Sequence, residues 1–282
     1  MRWKGRRQSG NIEDRRAGGL PGRAIGGGLG TLVLLLVVWM LGGNPLEVLQ
    51  MLSTSTGPEP SGVTQQETAI DERKEFAAVV LADTEDVWAR LMREQGVTYR
   101  PPVLVLYRDM VQSACGLSQA ASGPFYCPGD EKLYIDLDFL DELQRRFSAP
   151  GDFASAYIIA HEVGHHVQKL LGITERVMSM QGSVQDSEFN RMLVRLELQA
   201  DYFAGVWAHH ARNMNLLEEG DLEEALNAAS AVGDDRIQQQ SRGYVVPDSF
   251  THGTSEQRLR WFTKGFRSGD PDAGDTFSAS VL

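Results

Sequence analysis

The stretch Ala154–Leu171, A-S-A-Y-I-I-A-H-E-V-G-H-H-V-Q-K-L-L, gathers one Glu and three His in the middle of an otherwise apolar run. Asp152 follows Pro150-Gly151 and predicts an N-cap, and Gly172 predicts the stop, so the spacing reads as a helix of about five turns. Tyr157, Ile158, Ile159, Ala160, Val163 and Val167 cover nearly its whole circumference, the pattern of a buried helix. An unpaired buried polar group costs about 2–7 kcal/mol, so His161, Glu162 and His165 demand partners. His161 and His165 lie four residues apart on one face and can aim two imidazoles at one point. That is half of a tetrahedral zinc site. Glu162 sits about 100° further round, beside that point, where a carboxylate could take a proton from water on the metal. This is the H-E-x-x-H pattern of zinc peptidases. The alternative, a helix with surface histidines, fits the apolar wrapping poorly.

A third ligand is sought in the second long helical stretch, Asp186 to Ala211. Met192, Leu193, Leu196, Ala200, Phe203, Ala204 and Trp207 give it an apolar face. Glu197 and Asp201 stand four apart within that face, where like charges repel unless something compensates them. A zinc ion and its histidines would do so, with Glu197 as third protein ligand and solvent in the fourth place. Asp201 would then accept a hydrogen bond from the outer ring nitrogen of a ligand histidine. The competing reading is a solvated acidic edge with Arg191 or Arg195 nearby. An H-E-x-x-H-x-x-G-x-x-H site is excluded, because positions 168 and 171 are Gln168 and Leu171. His166 is turned away from the His161/His165 face, and His209 and His210 end the second helix, where a cation suits the dipole.

The flanking segments read more simply. Residues 70–95 form an amphipathic helical stretch, with a break suggested near Asp83-Thr84. Pro102–Tyr107 is a short strand. Lys132–Asp138 alternates like a half-exposed strand, either an edge that pairs with an extended peptide or an ordinary core strand. Glu218–Val232 is a further helix and Ser255–Phe266 the last one. Between them, the turn-rich Ser241–Gly253 carries Tyr244 and His252; His252, and after it Tyr244, is a candidate donor to a developing oxyanion, a loop histidine bonded to backbone being the alternative. Cys115 and Cys127 are the only cysteines and predict a disulfide in an oxidising compartment; the Cys-x-x-Cys spacing of a metal site is missing.

The charge is distributed unevenly. Residues 1–23 hold seven Lys/Arg against Glu13 and Asp14, a balance of +5, which leaves −16 for the rest of a chain whose net charge is −11. An acidic body of this kind excludes nucleic acid as a partner. Residues 24–41, A-I-G-G-G-L-G-T-L-V-L-L-L-V-V-W-M-L, carry no charge and match the short end of a bilayer span. Their glycines lie inside the apolar run and lack the Lys-Ser/Thr of a phosphate loop. With the basic residues ahead of the span, residues 1–23 are expected as a cytoplasmic tail, 24–41 as an uncleaved transmembrane anchor, 42–67 as a flexible linker and 68–282 as the exported, periplasmic or extracellular, domain. The sequence leaves the oligomeric state open.

Gly123–Leu140 (G-P-F-Y-C-P-G-D-E-K-L-Y-I-D-L-D-F-L), Asp152–Gln168, Leu196–Gly205 (L-E-L-Q-A-D-Y-F-A-G) and Phe250–Arg258 (F-T-H-G-T-S-E-Q-R) together resemble the neutral zinc metallopeptidases of bacteria. The resemblance covers most of the chain, including the basic start and the apolar run. It implies a membrane-anchored zinc hydrolase acting on peptides, with His161 and His165 as ligands and Glu162 as base, and the pairing of Glu197 with Asp201 is similar to that of gluzincins. The expected fold is α+β, mainly helical and zincin-like, with a short sheet. A zinc-containing envelope protein that binds partners without turnover is the second reading, and a metal-free scaffold the third.

Overall fold

The computed structural model describes residues 1–16, 65–119, 123–139 and 151–282. The expected span 24–41 and nearly all of the linker 42–67 lie outside these residues. Among the described residues no helix is long and apolar enough to cross a membrane.

The architecture is mixed α+β and mainly helical. Strand β1 (Ile12–Asp14) is followed by α1 (Gln65–Glu94), then β2 (Val103–Tyr107), the hairpin strands β3 (Met110–Ser113) and β4 (Gly116–Gln119), β5 (Phe125–Cys127) and β6 (Lys132–Asp136). Helices α2 (Asp152–Leu170), α3 (Ile173–Met178), α4 (Asp186–Asn213), α5 (Asp221–Ala231), α6 (Asp234–Arg242) and α7 (Ser255–Ser268) complete it. The main sheet has the order β1-β2-β6-β5, parallel from β1 to β6 and antiparallel at β5. Helix α2 runs through the middle of the core: Phe153, Ala154, Tyr157, Ile159, Ala160 and Val163 are all fully buried. A helix apolar on every side can only be stable there.

Two glycine contacts fix the neighbours of α4. A Cβ at Gly265 would lie 2.0 Å from the Tyr202 carbonyl oxygen, and one at Gly205 would lie 2.1 Å from that of Phe262. Only bare Cα atoms let α4 and α7 pack backbone to backbone. Helix α7 starts where its sequence says it should: Thr254 accepts from the Gln257 N–H, and the Gln257 side chain accepts from the Thr254 N–H. That is a complete capping box.

Several expectations are corrected. Asp152 is the first helical residue of α2, not its cap, which is Gly151. The α1 helix runs unbroken through Asp83-Thr84, because the Thr84 hydroxyl donates back to the Leu81 carbonyl and Asp83 finds a cation elsewhere. Strand β6 is neither an edge nor half-exposed: it lies between β2 and β5, with Leu133 to Asp136 buried. The edge position next to α2 belongs to β5. Residues 1–16 do not form a separate tail. They lie along the body, with β1 as a strand of its sheet. The expected disulfide, by contrast, is present: Cys115 and Cys127 are joined, with a Cα–Cα distance of 5.8 Å, and the bridge ties the β3–β4 turn to the end of β5.

Candidate metal centre

The two imidazoles of the H-E-x-x-H helix meet the α4 carboxylate at the bottom of a cleft of about 340 Å³. His161 Nε2 lies 3.2 Å from Glu197 Oε2, and His165 Nε2 lies 3.4 Å from Glu197 Oε1. The two rings are 4.8 Å apart and nearly perpendicular. One donor atom from each of the three residues falls within 4.8 Å of the other two. Ligands about 2.0–2.1 Å from a tetrahedral zinc stand about 3.3 Å from each other. The two contacts to Glu197 match that edge length, so the donor set fits a zinc ion of three protein ligands.

The outer nitrogens of both rings are occupied. His161 Nδ1–H donates to Asp201 Oδ1 at 2.9 Å, and His165 Nδ1–H donates to Gln168 Oε1 at 2.9 Å. Gln168 cannot turn its amide round, because its Nε2 donates to the Leu196 carbonyl and to Gln199 Oε1. Both Nε2 atoms therefore face the cleft, where each can offer a lone pair to a metal once it carries no proton, the arrangement that metal-ligating histidines adopt.

Asp201 is fully buried and carries more than one partner. Arg258 Nε donates to its Oδ2 at 2.9 Å and Arg258 Nη2 to its Oδ1 at 3.0 Å, while the Tyr157 hydroxyl donates to Oδ1 at 2.5 Å. Burial alone would raise the Asp201 pKa, but the Arg258 guanidinium and His161 outweigh it and hold it below the usual range. The carboxylate thus stays charged. Glu197 follows the same logic: burial raises it, and His165, His252 and His161 together bring it well below the ordinary value.

Glu162 is 7 % exposed and lines the cleft beside His161 and His165. Pro124, Phe125, Phe139, Ile158, Val232 and Ile237 give the cleft an apolar surround. His252 stands at the rim. Its loop is pinned by Asp234, whose Oδ2 accepts the N–H groups of Thr251, His252 and Gly253 at 2.6–3.0 Å. Glu197 first, and Asp234 after it, raise the His252 pKa against the effect of burial. Tyr244 is 60 % exposed and does not line the cleft. Of the two expected oxyanion donors, only His252 is near the site.

The remaining histidines have structural partners. His166 points away from the cleft, accepting from the Tyr126 hydroxyl at Nδ1 and donating from Nε2 to the Arg100 carbonyl. His209 and His210 donate to the carbonyls of Phe266 and Gly269, joining α4 to the end of α7.

Gly164 is what lets the helices that carry His161, His165 and Glu197 meet. A Cβ there would stand 2.9 Å from the Ala200 carbonyl oxygen and 3.1 Å from its Cα. Gly164→Ala is expected to cost about 1–3 kcal/mol, the usual range for overpacking. Because the strain would open α2 from α4, it should also weaken zinc binding. Urea unfolding and a competitive zinc titration check both effects, and a variant equal to the parent in both would contradict the close approach.

The family model described as "Putative neutral zinc metallopeptidase" matches residues 1–277. The chain is 50 % identical over 287 residues to the protein YpfJ of Escherichia coli strain K12, covering 100 % of both. It is 40 % identical over 261 residues to the protein Rv2575 of Mycobacterium tuberculosis strain H37Rv, covering 86 % of each. Both relatives are described as uncharacterized. No solved structure matches. With a family model spanning nearly the whole chain and the H-E-x-x-H helix facing a half-buried glutamate, the chain belongs to the family described as "Putative neutral zinc metallopeptidase".

Proposed function

We propose that the protein is a zinc-dependent peptidase in which His161, His165 and Glu197 hold the metal and Glu162 is the general base. The observation that carries this reading is the convergence of three ligand atoms at tetrahedral spacing, with a further carboxylate beside them in an open cleft. A purely structural zinc is usually closed by a fourth protein ligand. When bound, zinc supplies Lewis acidity, lowering the pKa of water to about 7 and polarising the scissile carbonyl.

The chain's own residues do the rest. Glu162 accepts the proton of the attacking water and hands it to the leaving nitrogen. His252, held at the rim by Asp234 with its pKa raised, donates to the oxygen on which charge develops. Strand β5 offers a sheet edge along the cleft, where an extended peptide can add backbone hydrogen bonds. The apolar surround of Phe125, Phe139, Ile158, Val232 and Ile237 favours substrates with an apolar side chain next to the cut bond.

The test is cleavage of a mixed peptide library by purified full-length protein before and after chelation. Cleavage that stops with chelator and returns with zinc supports the reading. Stoichiometric zinc with no cleavage of any peptide would instead favour a binding protein without turnover.

A pH dependence follows from His161. Burial lowers its pKa, but the Asp201 carboxylate and the hydrogen bonds to Asp201 and Glu197 raise it further, to about 10 from 6.5. In the metal-free chain this raised value contributes stability that is complete below about pH 6.5 and lost as the pH rises through 10. Zinc needs the His161 Nε2 lone pair, so uptake releases a proton. Zinc affinity should therefore tighten by about tenfold per pH unit between pH 6 and 8 for one proton released. A competitive zinc titration at several pH values checks this, and a flat profile would contradict it.

A further inference from the structure

The first sixteen residues make a dense and specific set of contacts with the domain. The Met1 amino group sits 2.5 Å from Asp152 Oδ1 and 3.2 Å from Asp221 Oδ1, at the start of α2 and of α5. Trp3 is 8 % exposed, packs edge-on against Phe76 of α1 and donates from Nε1 to Asp152 Oδ2 at 3.0 Å. Arg6 pairs with Asp83. Arg7 Nη2 donates to the Ala82 carbonyl and to Asp86, and its Nη1 donates to Glu85. Ser9 and Asn11 both donate to Glu85 Oε1. Beyond them β1 pairs in parallel with β2 over Ile12–Asp14, with the Leu104 N–H donating to Asn11 and the Arg15 N–H donating to Leu106.

These contacts solve a problem that α1 cannot solve alone. Asp83 is 2 % exposed and Glu85 is 8 % exposed, two carboxylates two residues apart on a buried part of the helix. A buried charge without a partner costs several kcal/mol. Among the described residues, the cations and hydrogen-bond donors to these two side chains all come from residues 6–11.

We infer that residues 1–16 are a strap that the domain binds as it would a peptide ligand, so that the basic N-terminus and the metal-ligand helices always lie on the same side of a membrane. A chain that crossed a bilayer once between residue 16 and residue 65 would put the strap on one side and its site on the other. It would strand Asp83 and Glu85 and remove the outer strand of the sheet. The expected arrangement of a cytoplasmic tail with an exported domain is therefore replaced by one in which the chain between these residues starts and ends at a single body. This inference is independent of the peptidase reading.

Topology can be tested without any activity measurement. The described residues hold no free cysteine, and Gln8 and Gln181 are both exposed. Gln8→Cys and, separately, Gln181→Cys are made in the full chain and treated with a membrane-impermeant maleimide in intact cells and in lysates. The expected result is that both label in intact cells, or that both label only after lysis. Labelling of one but not the other in intact cells would overturn the proposal. A second arm inserts a protease site between Thr56 and Gly57. After cleavage in detergent, the N-terminal fragment should co-elute with the domain on size exclusion, and it should separate when Arg6→Ala and Arg7→Ala are combined. A parent fragment that leaves at once, or a variant fragment retained as well as the parent's, would show that these contacts do not hold the strap.

Discussion

Glu162→Gln is expected to keep one zinc per chain and to lower kcat by about 10²- to 10⁴-fold, the usual worth of a positioned general base. The substitution is nearly isosteric, and Glu162 is not one of the three residues whose donor atoms converge. Its carboxylate lines the cleft beside His161 and His165, where the amide can still hydrogen-bond but can no longer accept a proton. KM should change little, because the apolar wall and the β5 edge are untouched. Zinc analysis and peptide cleavage on the same preparation check this. A variant that cleaves as fast as the parent would remove Glu162 from the mechanism. One that loses its zinc would instead make Glu162 a ligand.

The second large effect is expected at Arg258. This residue is 3 % exposed, spans both oxygens of Asp201 and reaches the Tyr157 hydroxyl at 3.1 Å. Arg258→Met would leave Asp201 buried without its cation, and breaking a buried pair from one side costs about 3–5 kcal/mol. Because Asp201 orients His161, zinc affinity should also fall by about 10- to 100-fold, as it does when an outer partner of a ligand histidine is lost. Arg258→Lys should recover only part of both losses, since a single ammonium cannot span the two oxygens. Urea unfolding and zinc competition measure the two effects separately. Stability and affinity within error of the parent would mean that Asp201 is held by Tyr157 and His161 alone.

How much of this was legible in the sequence depended on where each residue finds its partner. The α2 helix was plain, because its polar groups sit together within an apolar circumference and their spacing states their geometry. Glu197 and Asp201 could be singled out because two acids on an apolar face need an explanation. The structure brings Glu197 to the two Nε2 atoms and Asp201 to His161 Nδ1. Asp83-Thr84 looked like a helix break for the opposite reason. Its cation, Arg6, lies 77 residues earlier in the chain, where no local pattern can show it. Lys132–Asp138 alternates like a half-exposed strand, but the structure takes the core-strand alternative: Lys132 pairs with Glu13 across the sheet, and the buried Asp136 accepts from the Asp109 and Asp138 N–H groups.

Arg258 and Gln168 were missed although each left a signal. Arg258, Trp261, Phe262 and Gly265 stand at the i, i+3, i+4 and i+7 positions of one helix face, and an arginine on such a face needs a buried acid. Gln168 lies three residues after His165, within reach of its ring on the same helix. The helix α6, which carries Asp234 at its start and so steadies His252, has no apolar periodicity and no buried residue. It is held by its neighbours, and sequence pattern alone gave no reason to place it. The membrane expectation rests on the apolar run 24–41, which lies outside the described residues, and it leaves out of account the partners that Arg6 and Arg7 find in the domain.

The most direct measurement is zinc X-ray absorption and stoichiometry on the purified full-length protein and on Glu197→Ala. The expected result for the parent is one zinc per chain, bound by two imidazole nitrogens and at least one carboxylate oxygen at about 2.0–2.2 Å. Glu197→Ala should lose most of its affinity or show an additional water in place of that oxygen. A parent that takes up no zinc, or a spectrum and affinity unchanged by Glu197→Ala, would contradict the site assigned to His161, His165 and Glu197.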